Sequence, residues 1–274
     1  MDRNPKRARK KEARDLRVSA QQRAFRRRRL ARIAAVVAAT GVIAALVVYA
    51  TAREEEPPRA AGEPTESPTP DASEAPCPLT ERPESSPKTY NRAPDPAEVL
   101  ADGVDYSAIV RTSCGRLEID LLETEAPATV ASFVFLAREG YFDGLTWHRV
   151  ERNFVVQTGD PNGRNGVPPD GPGYELPDEL AGTKARDYTF GTVAMANRGP
   201  DTGGSQWFVI VHDRDGEEPA GLDPLYTIFG RVAKRSFDVL EKIASQPVKG
   251  GTDTVEMSLP RVPVYIDAIE IVER

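Results

Sequence analysis

Cysteine and histidine are scarce in these 274 residues: Cys77 and Cys114, His148 and His212 are all there are. Zinc sites often draw on clustered His and Cys at fixed spacing, so the lack of an HExxH run and of any Cys cluster argues against a catalytic zinc. A serine hydrolase needs a histidine base beside a nucleophile on a strained elbow. Ser205 sits in GGSQW, which lacks the second glycine of that elbow. Asp213-Arg214-Asp215-Gly216 has the acidic look of a calcium loop, but the first and twelfth ligand positions would be Val211 and Leu222, which carry no oxygen ligand. It reads as a solvated acidic loop. Gly171-Pro172-Gly173 lacks the rest of a dinucleotide fingerprint and reads as a turn. His148 reads as a satisfied strand residue. There is no internal repeat.

What is present is first of all a charge asymmetry. Residues 1–32 hold fourteen Lys/Arg against three Asp/Glu, a net of +11. The formal total is -6, so the remaining 242 residues carry -17. A basic arm of this kind suits nucleic acid, but the segment after it argues for a membrane instead. Residues 33–50 are 18 uncharged residues rich in Val, Ile, Leu and Ala, the lower range for a bilayer-spanning helix. Arg26 to Arg29 and Arg32 precede the run, and Glu54 to Glu56 come after it. Positive residues stay inside, which predicts a single-pass segment with a cytoplasmic tail (1–32), a transmembrane helix (33–50) and an extracytoplasmic remainder at the cell membrane. A cleaved signal peptide is the rival reading, because Ala50-Thr51-Ala52 has the small-x-small form of a cleavage site. Both readings export the rest of the chain. Outside the cell an even pair of cysteines points to a Cys77–Cys114 disulfide, with two inert thiols as the alternative.

Residues 51–103 are dominated by Pro, Glu, Ser, Thr and Ala without apolar period, and predict a disordered linker that holds a domain away from the membrane. Order is expected over 104–274. Leu117, Ile119 and Leu121 alternate with Glu118 and Asp120, the period of a half-buried strand, and pair across Cys114-Gly115 with the strand 107–112. A helix starts at Pro127 with Thr124 as its N-cap, places Val130, Phe133, Val134 and Ala137 on one face and ends at Gly140. Strands are expected at 145–150, 154–158, 191–196, 206–211, 225–232 and 262–272, with a second short helix at 238–244. Many short strands with only two helices suggest a closed barrel or a sandwich.

Three segments place polar groups among apolar ones: Trp147-His148-Arg149-Val150 with Phe154-Val155-Val156-Gln157-Thr158-Gly159-Asp160; Met195-Ala196-Asn197-Arg198-Gly199-Pro200 with Gly204-Ser205-Gln206-Trp207-Phe208; and Tyr226-Thr227-Ile228-Phe229-Gly230. In order and spacing they resemble the cyclophilins over about residues 104–274. Gly171-Pro172-Gly173-Tyr174 and Pro177-Asp178-Glu179 resemble a loop of bacterial-type members. The resemblance implies a mainly β fold, an eight-stranded antiparallel β-barrel capped by two helices. It implies peptidyl-prolyl cis–trans isomerase activity with no cofactor, no metal and no covalent intermediate.

By the family pattern Arg149 is the catalytic arginine. Phe154, Val155, Phe208 and Leu222 wall a proline pocket, and Tyr226 takes a position often held by His or Tyr. Gln157, Ala196, Asn197 and Gln206 hold the substrate backbone. Arg198 stands where a small residue is frequent and adds positive charge near the groove. Expected partners are proline-containing unfolded or exported polypeptides and the membrane, with no nucleic acid and a monomeric chain. A different class of function fits the same groove: a module that binds proline segments as a holdase, with isomerisation incidental. An arginine at 149 favours the enzyme, since a pure binder has no need of it in that place.

Overall fold

The computed structural model describes residues 75–85, 88–162, 171–215, 218–250 and 258–274. The expected transmembrane segment 33–50 and cytoplasmic tail lie outside these residues. Among the described residues no helix is long and apolar enough to cross a membrane.

Among the described residues eight antiparallel strands form one sheet: β1 (Tyr106–Thr112), β2 (Gly115–Leu121), β3 (Arg149–Glu151), β4 (Val155–Thr158), β5 (Thr192–Met195), β6 (Trp207–Ile210), β7 (Ile228–Val232) and β8 (Ile266–Glu273). Their order is β3-β4-β6-β5-β7-β2-β1-β8. The edge runs meet: Thr146 bridges Tyr265, Trp147 N donates to Val264 O, and Val150 N donates to Ser258 O. That contact is a few bonds rather than a ladder. The strands expected at 145–150 and 262–272 are accordingly shorter as regular elements, β3 starting at Arg149 and β8 at Ile266.

Side-chain alternation divides the sheet's two faces. Inward, Leu117, Ile119, Val156, Val193, Trp207 and Val209 join one core. Outward on β4, β5 and β6, Val155, Ala194, Phe208 and Ile210 join a second, smaller one. Because the period is two, neighbouring residues serve the barrel and its outer surface in turn.

Helix α1 is a single turn (Pro96–Val99), α2 is Pro127–Arg138 and α3 is Phe237–Ala244. Pro127 occupies the first turn of α2, where its missing N–H costs nothing. The expected Thr124 cap is not used. The cap residue is Ala126, without a side-chain bond. Instead Glu179 reaches in from 50 residues away and accepts from Ala128 N at 3.0 Å, Thr129 N at 2.9 Å and the Thr129 hydroxyl at 2.7 Å. A carboxylate there satisfies orphan donors and meets the positive end of the helix dipole. Phe133 plugs the barrel against Phe142, Phe229 and, edge-on, Trp207.

The linker expected to run disordered to residue 103 is, wherever it is described, a strap packed on this domain. Cys77 is fully buried and disulfide-bonded to Cys114, with Cα atoms 4.8 Å apart. Arg82 Nε donates to Gly144 O at 3.0 Å. The Tyr90 ring stands edge-on to Phe135 at 4.9 Å. A few such anchors outweigh the composition: each fixes a stretch of chain that has no apolar period of its own.

Candidate active site

Strands β3 and β4 set Arg149 opposite Gln157, and β4 and β6 set Gln157 opposite Phe208. All three therefore project from the outer face. Arg149 Nε donates to Glu151 Oε1 at 2.8 Å, and Nη1 donates to Gln157 Oε1 at 3.1 Å. The guanidinium carbon stands 5.8 Å from the centre of the Phe154 ring, within cation–π range. A guanidinium has five N–H groups in a planar fork. Glu151 and Gln157 engage only part of that fork, and they hold its plane in place.

Gln157 continues a relay. Its Nε2 donates to Gln206 Oε1 at 2.8 Å, and Gln206 Nε2 donates to Asp160 Oδ2 at 3.1 Å. Asp160 is 1 % exposed and its other oxygen accepts from Asn162 N. The ends of this relay determine its direction. An ionised carboxylate only accepts and a guanidinium only donates. Gln206 must turn its NH2 toward Asp160, so its oxygen faces Gln157, and the Gln157 oxygen is left facing Arg149.

Beside the guanidinium lies the second apolar cluster. Val155 and Phe208 are buried in it with Tyr188, and Phe154, Ala196, Leu222 and Tyr226 pack at its margin. The Tyr226 ring stands edge-on to Phe208 at 5.3 Å. Tyr188 forms the floor: its hydroxyl donates to Tyr226 O at 2.7 Å and accepts from Tyr226 N at 3.1 Å. Burial raises the Tyr188 pKa, and the hydrogen bond that its oxygen accepts from the Tyr226 N–H opposes part of that rise. Asn197 fastens the same wall. Its Nδ2 donates to Leu225 O at 2.8 Å, and its Oδ1 accepts from Gly199 N at 3.3 Å. Ala196 N donates to Gln206 O and extends the β5–β6 pairing past the strand ends.

An adjoining cavity of about 400 Å³ is lined by Gln157, Ala196, Asn197 and Gln206 on this side. Arg198 and Glu175, both cavity-lining, pair at 3.3 Å, so the charge expected from Arg198 meets a carboxylate at the rim.

The ten residues expected at the site thus converge on one surface: an arginine, a polar relay, an apolar patch and a cavity. Three further participants have no role that the sequence alone assigns. Asp160 is part of a motif, yet its partner Gln206 is 46 residues away. Glu151 is the ordinary carboxylate partner of a strand arginine. Tyr188 has no motif around it. Trp207, in contrast, faces inward, its ring edge-on to that of Trp147 at 5.1 Å.

The sequence model of the cyclophilin type peptidyl-prolyl cis-trans isomerase/CLD family matches residues 107–270. Among curated relatives, a peptidylprolyl isomerase domain and WD repeat-containing protein 1 from Mus musculus is 37% identical over 181 residues, covering 64% of this chain and 27% of that protein. A probable peptidyl-prolyl cis-trans isomerase B of Mycobacterium tuberculosis is 37% identical over 183 residues, covering 62% and 54%. A peptidyl-prolyl cis-trans isomerase of Synechococcus elongatus is 40% identical over 124 residues, covering 45% and 78%. The chain thus spans about a quarter of the mouse relative's length and about half of the mycobacterial one's. A solved cyclophilin structure from Cryptosporidium parvum superposes with a TM-score of 0.52 at 24% identity, covering 62% of this chain and 99% of that one, which is a likeness of fold. By the family match over 107–270 and by these identities, this chain belongs to the cyclophilin type peptidyl-prolyl cis-trans isomerase family.

Proposed function

We propose that the chain catalyses rotation about X–Pro peptide bonds, with Arg149 as the group that stabilises the twisted amide. The observation that carries this reading is the placement of a held guanidinium at the edge of the Phe154, Phe208 and Tyr226 patch. An amide resists rotation because the nitrogen lone pair is delocalised, a barrier of ~18–20 kcal/mol. Uncatalysed exchange at X–Pro takes tens to hundreds of seconds. Acceleration by about five powers of ten needs ~7 kcal/mol.

Halfway through the turn the nitrogen becomes pyramidal and regains its lone pair. A donor aimed at that nitrogen binds the twisted form better than either planar form, which is what lowers a barrier. The apolar patch receives the proline ring. Backbone groups at Ala196 and Asn197, with the Gln206 amide, hold one side of the bond while the other rotates. Such a rotation forms and breaks no covalent bond and draws on no cofactor.

The substrates that fit are proline-containing segments of unfolded, exported polypeptides. A disulfide suits an oxidising compartment, and the basic tail and apolar run at 33–50 suit a membrane anchor with the domain outside. Tethering raises the effective concentration of the enzyme where chains emerge.

The test is exchange of a proline tetrapeptide, monitored by NMR with the full-length protein, wild type against Arg149→Ala. Loss of one donor to a developing charge costs about 10²–10³ in rate, and that is the expected fall. A wild type that leaves exchange at its uncatalysed rate, or a variant that keeps the wild-type rate, overturns the reading.

A further inference from the structure

The cavity beside Gln157 and Gln206 has one wall from outside the family domain. Thr89 lines it, yet the family match begins at residue 107. Thr89 belongs to the strap, and the strap is seated where it passes the cavity. Tyr90 N donates to Pro172 O at 2.7 Å. Lys88 pairs with Glu139 at 3.1 Å. The surface beneath is shaped to receive this backbone. Gly173 has φ +92, and a Cβ built there would stand 2.6 Å from Tyr90 O and 3.4 Å from Thr89 Cβ. Gly144 repeats the arrangement further back, with φ +69 and a built Cβ 2.5 Å from Pro83 O. Two glycines in conformations that disfavour side chains, each with strap backbone where a side chain would go, mark a docked segment rather than a passing one.

The rest of the cavity wall mixes neutral side chains, among them Tyr174 and Thr202, with bare main chain. Gly171, Gly203 and Gly204 contribute main chain only, and the rim charges of Arg198 and Glu175 pair with each other. Space and the strap residue, rather than net charge, then decide what enters.

We propose that Thr89 is a specificity-determining residue: the strap presents it as the outer wall of the cavity, and its size sets which substrate side chain near the proline is accepted there. This rests on the reading of the groove as a substrate site. A larger group at 89 narrows the cavity without touching Arg149 or the apolar patch. The side chain is exposed, so replacement leaves the packed core alone.

The experiment titrates the full-length protein with proline-centred peptides that are alanine throughout except for one tryptophan, moved through the three positions on each side of the proline. Dissociation constants are read directly, so a protein that binds without isomerising still reports on the wall, while the exchange assay reports on catalysis. In the wild type one tryptophan position is preferred over the all-alanine peptide. In Thr89→Trp that preference ratio falls by about tenfold or more, the range in which pockets discriminate side-chain size. Thr89→Ser keeps the ratio. Gly173→Ala, which forces the strap backbone off its seat, also changes it. A ratio that stays within about threefold at every position in both Thr89→Trp and Gly173→Ala, inside the smallest steps such pockets resolve, overturns the proposal.

Discussion

Arg149 and Gln157 face each other across β3 and β4, and the guanidinium reaches the glutamine oxygen at 3.1 Å. That contact makes the arginine the terminus of a polar relay whose far end, Asp160, is buried. The relay explains how a side chain on a three-residue strand keeps one orientation beside an apolar surface.

Replacing Asp160 tests the relay from its far end. Asparagine offers a donor and an acceptor in nearly the same volume, so Gln206 is no longer forced to present its NH2. Asp160→Asn is expected to lower kcat by about tenfold with KM little changed, because the loss falls on positioning for the transition state. The side-chain amide resonances of Gln157 and Gln206 should move as well. A variant with unmoved resonances would show that Asp160 does not orient them.

The disulfide joins the strap to the β1–β2 turn across a sequence separation of 37 residues. In the chain-entropy account a loop of that size contributes about 3–4 kcal/mol. Cys77→Ser with Cys114→Ser should lose that order of stability in chemical denaturation, while hydrogen exchange in the strap quickens more than in the sheet. Loss of less than about 1 kcal/mol would mean that the remaining anchors hold the strap unaided.

His148 provides a pH prediction. It is buried, and among the described residues neither ring nitrogen meets a partner in good geometry. Burial lowers its pKa from 6.5 to about 4; the nearby Asp160 charge and Thr146 carbonyl oppose the shift, and the Arg149 charge adds to it. The unfolded chain therefore takes up this proton first as pH falls. The contribution of a neutral histidine to stability is complete above pH 6.5 and is lost as pH falls from there toward about 4. At 1.36 kcal/mol per unit the loss approaches ~3 kcal/mol. His148→Phe should show a flatter fall of stability than wild type across that window. Parallel slopes for the two proteins would contradict it.

Local pattern makes much of this architecture readable. Alternation at Leu117, Ile119 and Leu121 marks β2, and all three are buried in the barrel. The run expected as a helix at 238–244 is α3 with one residue more, Phe237. Eight of the ten site residues are readable because they lie in motifs along or next to β3, β4, β5 and β6, while Tyr226 comes just before β7 and Leu222 lies in no such motif. What local pattern does not show is long-range. The cap of α2 is Glu179, not Thr124, because a carboxylate 50 residues away reaches the same N–H groups. The even pair of cysteines makes the Cys77–Cys114 bond legible, but the strap still reads as linker because Pro-rich composition hides anchors such as Arg82 and Tyr90 that act singly. Asp160 and Tyr188 acquire their roles only when β6 and the Tyr226 segment come alongside.

The most direct measurement is of Arg149→Lys in the full-length protein, with peptide affinity and exchange rate taken on the same sample. Lysine keeps the charge and loses the planar fork that Glu151 and Gln157 hold. If the guanidinium acts on the twisted amide, exchange slows by about 10² or more while the dissociation constant stays within about threefold. Exchange at the wild-type rate, or a slowing matched by an equal loss of affinity, would contradict that role for Arg149.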